Sequence, residues 1–302
     1  MEARKLRGHK ATVLCCISSH INPNIIISSD EDGGICWFDI RCQDVVAILD
    51  VGKAPVASIC FRRGKEDILY ASSGSEIKSF DVHMASSQKP LETFNYNKED
   101  INQIAVSFNS SFLAAADDSG DVKIIDIHQQ CLYKTLRTGH TIPEETTSEK
   151  LGKVCAVARG DGVIDVIDIE SELSGSKEKT HKSRSKSNLI PRQTTETSNK
   201  SQGKGLQLDY ASGGHTAGVS CVAFSRFGEI GKFIVSGGND ASVKIWDWYK
   251  SHNNLESSCS VDPLQLTINS GKKVNWLCTT PNDSENVVVC DTSKIVKVYT
   301  VS

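Results

Sequence analysis

Eleven cysteines, eight histidines and scattered acidic pairs are the side chains of this 302-residue chain best suited to chemistry. Thiols hold metal or form disulfides when their spacing brings them together, as in a Cys-x-x-Cys pair, and the sequence contains no such pair. Instead Cys15, Cys36, Cys60, Cys155, Cys221, Cys278 and Cys290 sit inside apolar, β-branched runs. There they read as free thiols acting as small core hydrophobes in a reducing compartment. The histidines form no His-Glu-x-x-His ligand set, no Gly-x-Ser-x-Gly elbow presents a serine nucleophile, and no glycine loop is built to cradle phosphate. Gly33-Gly34 and Gly213-Gly214 punctuate turns, and Asp117-Asp118 falls in a strand connection where turn formation accounts for it. The sequence therefore nominates no catalytic residue, cofactor or metal ligand, and what remains is the framework that orders these residues.

That framework is repetitive. Gly214-His215 is followed by three short β-rich runs, Val219 to Phe224, Phe233 to Ser236 and Ser242 to Trp246, separated by turn residues. The same order runs from Gly8-His9 through Val13 to Ile17, Ile25 to Ser29 and Ile35 to Asp39. It recurs at Val56 to Phe61, Ile68 to Ser72 and Ile77 to Asp81, and at Ile101 to Phe108, Phe112 to Ala116 and Val122 to Asp126. A last unit holds Lys273 to Cys278, Asn286 to Cys290 and Lys294 to Tyr299. The closing aspartates Asp39, Asp81, Asp126, Asp168 and Asp247 are 42, 45, 42 and 79 residues apart. The long interval contains residues 172–205, rich in Ser, Lys, Thr and Gln, which read as a disordered insertion. A period of 40 to 45 residues with three or four strands per unit predicts one all-β ring rather than two domains.

Gly-His, about thirty residues, then Trp-Asp resembles the WD repeat, whose fold is a β-propeller of four-stranded blades. The resemblance is most specific in the fifth unit, where His215, Ser236, Asp240 and Trp246 match the family's structural hydrogen-bonded tetrad. The first unit keeps His9, Ser28 and Asp32 with Phe38 in the Trp place. The resemblance also implies that Ala3 to Arg7 supplies the outer strand of the last blade and closes the ring, removing a sheet edge. Six units are recognisable, whereas the most similar pattern within the family, carried by Ala114 to Gly120, Gly214 to Ser220 and Gly271 to Leu277, implies seven blades. The fourth unit, residues 139–168, is the weak one. Thr141 to Lys150 is acidic, contains Pro143 and lacks alternation, and so is not expected to form the innermost strand of a blade. Either that blade is degenerate or a blade's worth of sequence is missing between His140 and Val154.

The formal net charge is −3, divided between +5 on the insertion and −8 on the remainder. An acidic ring repels phosphate, which argues against direct nucleic-acid binding. No stretch reaches the length of apolar sequence that crosses a membrane, and the first residues lack a signal-peptide core, so a cytoplasmic or nuclear protein is expected. In that setting the Arg159-Gly160-Asp161 tripeptide reads as a turn. The insertion reads as a solvated loop, a binding segment for acidic partners, or an import signal through Lys177 to Lys186, and its many Ser and Thr suit it to phosphorylation.

One motif separates this chain from an anonymous propeller. Phe38-Asp39-Ile40-Arg41, with Ser28-Ser29, Asp32 and Ile35 before it, resembles the motif by which some WD proteins dock on a DDB-type adaptor of cullin-4 ubiquitin ligases. Asp32, Phe38, Asp39 and Arg41 are the docking residues this implies, set against the simpler reading of Arg41 as the start of an exposed turn. The functional expectation is a nonenzymatic, monomeric platform for protein interaction, a ligase substrate receptor in its sharpest form. A scaffold of another complex unrelated to ubiquitination, and an enzyme or small-molecule binder using the ring's channel, are the alternatives.

Overall fold

The computed structural model describes residues 2–42, 44–62, 64, 66–83, 89–107, 110–137, 145–147, 154–168, 206–249, 262–281 and 285–301. Its strands form six four-stranded antiparallel sheets arranged as a β-propeller. Blade one holds β2 (Val13–Ser18), β3 (Ile25–Asp30), β4 (Gly34–Asp39) and β5 (Val45–Asp50). Blade two holds β6 (Ile59–Phe61), β7 (Ile68–Ser73), β8 (Glu76–Asp81) and β9 (Glu92–Phe94). Blade three holds β10 (Ile101–Val106), β11 (Phe112–Asp117), β12 (Asp121–Asp126) and β13 (Cys131–Arg137). Blade four holds β14 (Glu145–Thr147), β15 (Val154–Ala158), β16 (Ile164–Asp168) and β17 (Leu206–Leu208). Blade five holds β18 (Val219–Phe224), β19 (Ile234–Gly238), β20 (Ser242–Trp246) and β21 (Leu264–Asn269).

Blade six is built from both ends of the chain. β22 (Val274–Thr279), β23 (Asn286–Asp291) and β24 (Ile295–Thr300) are completed by β1 (Arg4–Arg7), with Arg4 opposite Val298 and Arg7 opposite Ile295. Leu6 is the one buried side chain of β1 and enters the apolar cluster shared by blades six and one, beside Val296, Val298 and Phe38. Arg4 extends the tie, donating to the Ile40 carbonyl at 3.1 Å and to Asn286 Oδ1 at 2.9 Å.

The strands form where the sequence places β-branched runs between turn residues, and the blades differ in how far each is enclosed. β23 is buried along its whole length, and β3 and β7 along all but their first residue, because each is covered by a neighbouring blade on both sides. Apolar clusters join blades six and one, one and two, two and three, four and five, and five and six. In blade three the burial alternates instead. Leu113, Ala115 and Ile125 pack toward blade two, while Phe112, Ala114 and Ile124 on the other face are only half-buried. Among the described residues no apolar cluster joins blades three and four.

Two sequence expectations change. The innermost strand of blade four does exist: Glu145–Thr147 pairs with β15, Glu145 opposite Val157 and Thr147 opposite Cys155. Three residues suffice because this pairing uses backbone groups alone, two of the three residues are β-branched threonines, and Pro143, which has no N–H, precedes the ladder. The described strands make six blades, the number of units recognisable in the sequence, rather than the seven that the resemblance implies. The insertion at 172–205 lies outside the described residues, in the connection from β16 to β17.

Candidate interaction surfaces

In a propeller the strands position the loops, and the loops present the chemistry. Here the turn between the second and third strands of a blade shares one face with the entry into its first strand, as the pairing of Val13 with Asp30 requires. The turn after the third strand lies on the opposite face. In four of the blades a polar clamp at the entry holds the two together.

The fifth blade shows that clamp in full. Trp246 Nε1–H donates to Ser236 Oγ at 2.9 Å, Ser236 lies 2.8 Å from His215 Nε2, and His215 Nδ1 lies 3.0 Å from Asp240 Oδ1. Because the serine oxygen already accepts from Trp246, its own proton goes to Nε2, and the imidazole carries its proton on Nδ1 facing the carboxylate. Burial pulls the His215 pKa below its ordinary value, against the attraction of Asp240. Burial alone would raise the Asp240 carboxyl, but hydrogen bonds from Ser242 Oγ, the Thr216 N–H and His215 outweigh it and bring the pKa to about 2. The tetrad His215, Ser236, Asp240 and Trp246 is thus assembled as a neutral histidine beside a carboxylate, a structural arrangement.

In the first blade the tetrad changes its acid. His9 Nε2 meets Ser28 Oγ at 2.7 Å, but Nδ1 meets Asp30 Oδ2 at 2.8 Å, not Asp32. Asp32 is exposed and donates its backbone N–H to Asp30 Oδ1. Gly238 holds the register of Asp30 in blade five, and a Cβ there would lie 2.4 Å from His215 Nδ1. Only without that side chain does the histidine reach the acid two residues further on.

Two more blades carry the clamp with other donors. Asn97 Nδ2 donates to Asp117 Oδ2 at 2.9 Å, and Ser270 Oγ donates to Asp291 Oδ2 at 3.2 Å, where Lys297 also binds. His9, Asn97, His215 and Ser270 each stand four residues before the first residue of the innermost strand. That spacing was the available signal, and reading only for Gly-His passes over it.

The residues singled out for adaptor docking are divided by the fold. Asp39 and Arg41 lie together at the turn after β4: Arg41 Nε donates to Asp39 Oδ1 at 2.9 Å and a terminal nitrogen to Oδ2 at 2.6 Å. The hydrogen bond from Arg41 holds the Asp39 carboxyl below its ordinary pKa, and the arginine side chain stays 66% exposed. Phe38 is fully buried in the apolar cluster between blades six and one and packs against the His9 ring, 5.9 Å between centroids, so it is not presented to a partner. Asp32 sits at the other end of β4, about 20 Å away at the usual strand rise, on the opposite face. In blade five the corresponding turn carries buried Trp248, whose indole donates to the Gly231 carbonyl at 2.8 Å, and half-exposed Tyr249.

Most of the thiols are packed, not poised. Cys15, Cys16, Cys36, Cys60, Cys131, Cys221, Cys278 and Cys290 are free and at least partly buried, Cys42 is free and exposed, and Cys16 and Cys278 approach to 3.7 Å between blades one and six. Burial pushes the Cys36 and Cys60 thiols up to about 12, the opposite of an activated nucleophile. Among the described residues no three His, Cys, Asp or Glu side chains are grouped to hold a metal ion, and no helix is long and apolar enough to cross a membrane.

Comparison with known proteins agrees with this geometry. Residues 2–39, 88–126 and 208–247 match the WD domain, G-beta repeat, family model. A 143-residue stretch is 37% identical to the WD repeat-containing protein 53 homolog of Dictyostelium discoideum, covering 45% of this chain and 38% of that protein's length. Among solved structures, the RRP9 WD40 repeats superpose with a TM-score of 0.70 over 100% of this chain and 98% of that one, at 12% identity. The β-propeller domain of Myceliophteria thermophila Cps50 (Swd1) gives a TM-score of 0.62 over 99% and 98%, also at 12% identity. At such identity these two likenesses concern the fold alone.

Proposed function

We propose that this chain, which carries WD repeats on a six-bladed β-propeller, is a substrate receptor of a cullin-4 type ubiquitin ligase that docks on a DDB-type adaptor through Asp39 and Arg41. WD-repeat propellers serve as platforms for protein interaction, and the finer assignment rests on one observation. Arg41 projects from the turn after β4 with its side chain 66% exposed while Asp39 holds its guanidinium by two side-chain hydrogen bonds. An exposed guanidinium in a fixed orientation is suited to a carboxylate or carbonyl of a partner, and its entropy cost on binding is partly met in the free protein. Phe38 lies in the core and makes no contact with the partner in this reading. In this reading the platform acts as a monomer in the cytoplasm or nucleus, with residues 177–186 as the import signal.

Affinity purification from cells expressing wild type beside Arg41→Ala tests the assignment. The adaptor should be recovered with wild type and depleted with Arg41→Ala, at equal bait levels. Equal recovery with both would remove Arg41 from the docking contact, and recovery with neither would direct the platform to a complex unrelated to ubiquitination.

A further inference from the structure

The face opposite Asp39 and Arg41 is uneven in charge. Of the turns between the second and third strands, four carry carboxylates: Glu31 and Asp32 in blade one, Asp118 in blade three, Asp161 in blade four and Asp240 in blade five. Asp161 is paired with Arg159, whereas Asp240 is hydrogen-bonded to the neutral His215 and keeps its charge. Blade two has the uncharged Gly74-Ser75. Blade six alone places a lysine there, Lys294, and precedes its first strand with Lys272 and Lys273. Blade one adds Lys10 on its entry loop.

These four lysines are exposed, and backbone contacts join the loops that carry them. The Val13 N–H donates to the Ser293 carbonyl at 3.1 Å, the Thr292 N–H to the Lys273 carbonyl at 3.1 Å, and Asn275 Nδ2 to the Val13 carbonyl at 2.9 Å. The carboxylate nearest in sequence to Lys294, Asp291, is buried and already engaged by Lys297 and Ser270. Glu31 and Asp32 border the patch on the side of blade one, the Glu31 N–H reaching the Thr12 carbonyl at 3.1 Å. Blade three presents the opposite sign, with Glu99, Asp100 and Asp118 exposed against Lys98, and blade two carries a single exposed lysine, Lys53, on its entry loop.

We infer that Lys10, Lys272, Lys273 and Lys294 form a recognition surface for an acidic peptide segment of a partner protein. Four like charges gathered on ordered loops, with only Glu31 and Asp32 at their border, repel one another, and a carboxylate-rich segment laid across them relieves that repulsion while steering encounter. A peptide fits better than a nucleic acid. The patch is bounded by Glu31 and Asp32, and blade three on the same face is acidic, so a long phosphate backbone crossing the face meets repulsion where a short peptide does not. The inference is independent of adaptor docking, which uses the other face.

The test is fluorescence anisotropy with a labelled twelve-residue peptide of alternating Glu and Ser, and with a single-stranded oligonucleotide carrying the same number of charges. Four proteins are compared: wild type, K10E/K272E/K273E/K294E, the neutral K10Q/K272Q/K273Q/K294Q, and a control, K5E/K89E/K98E/K134E, which changes net charge equally at exposed lysines elsewhere. The peptide should bind wild type and the control alike, weaken as salt is added, and lose about tenfold or more of its affinity in both patch variants. The glutamine variant decides the matter if the charge reversal does not fold. Equal loss in the control, no loss in the patch variants, absence of peptide binding to wild type, or tighter binding of the oligonucleotide would each overturn the inference.

Discussion

Gly238 in blade five occupies the position that Asp30 occupies in blade one, and this exchange decides which acid holds the histidine. Asp30 sits directly beside His9, at 2.8 Å, whereas the missing side chain of Gly238 leaves His215 to reach Asp240 at 3.0 Å. The two clamps look alike in sequence because both blades carry an aspartate four residues after the serine.

Asp30→Ala and Asp32→Ala should therefore differ sharply. Loss of Asp30 leaves a buried imidazole and two turn N–H groups without their acceptor, and should destabilise the protein by about 1–3 kcal/mol. Loss of exposed Asp32 should change stability by less than about 0.5 kcal/mol. Urea unfolding of the two variants measures both.

The fifth-blade clamp should give stability a definite pH dependence. Burial depresses the folded pKa of His215 below 6.5, so the unfolded chain takes up its proton first as pH falls. The contribution of this histidine is thus fully present above about pH 6.5 and declines below it until the folded pKa is passed. Asp240, lowered from 3.8 to about 2, contributes stability that is lost in a second, lower window between those values. Thermal melting midpoints of wild type should fall from pH 7 to pH 5 more steeply than those of His215→Gln.

Two glycines with similar backbones should respond differently to a methyl group. Gly33 has φ +85°, and an added Cβ would lie 2.0 Å from the Gly52 carbonyl oxygen on the entry loop of blade two. Gly64 has φ +78° and meets nothing within 4 Å. Gly64→Ala should cost about 1 kcal/mol, the strain of the left-handed conformation alone, and Gly33→Ala about 2 kcal/mol or more beyond that. Differential scanning calorimetry resolves the difference.

Ring closure should depend on one apolar side chain of β1. Leu6 is 1% exposed in the cluster joining blades six and one, and Leu6→Ala should destabilise by about 2–5 kcal/mol. Lys5→Ala, on the exposed side of the same strand, should be neutral within about 0.5 kcal/mol. Chemical denaturation of both variants separates closure by packing from closure by strand pairing.

Much of this architecture was legible in the residues. Apolar, β-branched runs between turn residues located the strands of blades one, three, five and six. The fifth-blade tetrad was readable residue by residue because all four of its members are the usual ones. What escaped did so for physical reasons. Asp30 was hidden because spacing along the chain does not reveal whether a side chain or only a hydrogen stands beside the histidine. Asn97 and Ser270 were hidden because they do by position what histidine does elsewhere. Glu145–Thr147 was hidden because a short strand paired through its backbone needs no apolar alternation. Asp32 was grouped with Asp39 and Arg41 by resemblance to a docking motif, although a strand running between them carries the two ends to opposite faces.

The most direct measurement of the central claim is binding of the purified chain to a purified DDB-type adaptor by surface plasmon resonance, comparing wild type, Arg41→Ala, Asp39→Ala and Asp32→Ala. Docking through the turn after β4 predicts that wild type and Asp32→Ala bind alike, and that Arg41→Ala loses about tenfold or more in affinity. Asp39→Ala should fall between them, because it frees the guanidinium without removing it. Equal binding by wild type and Arg41→Ala, or no binding by wild type, would contradict the claim.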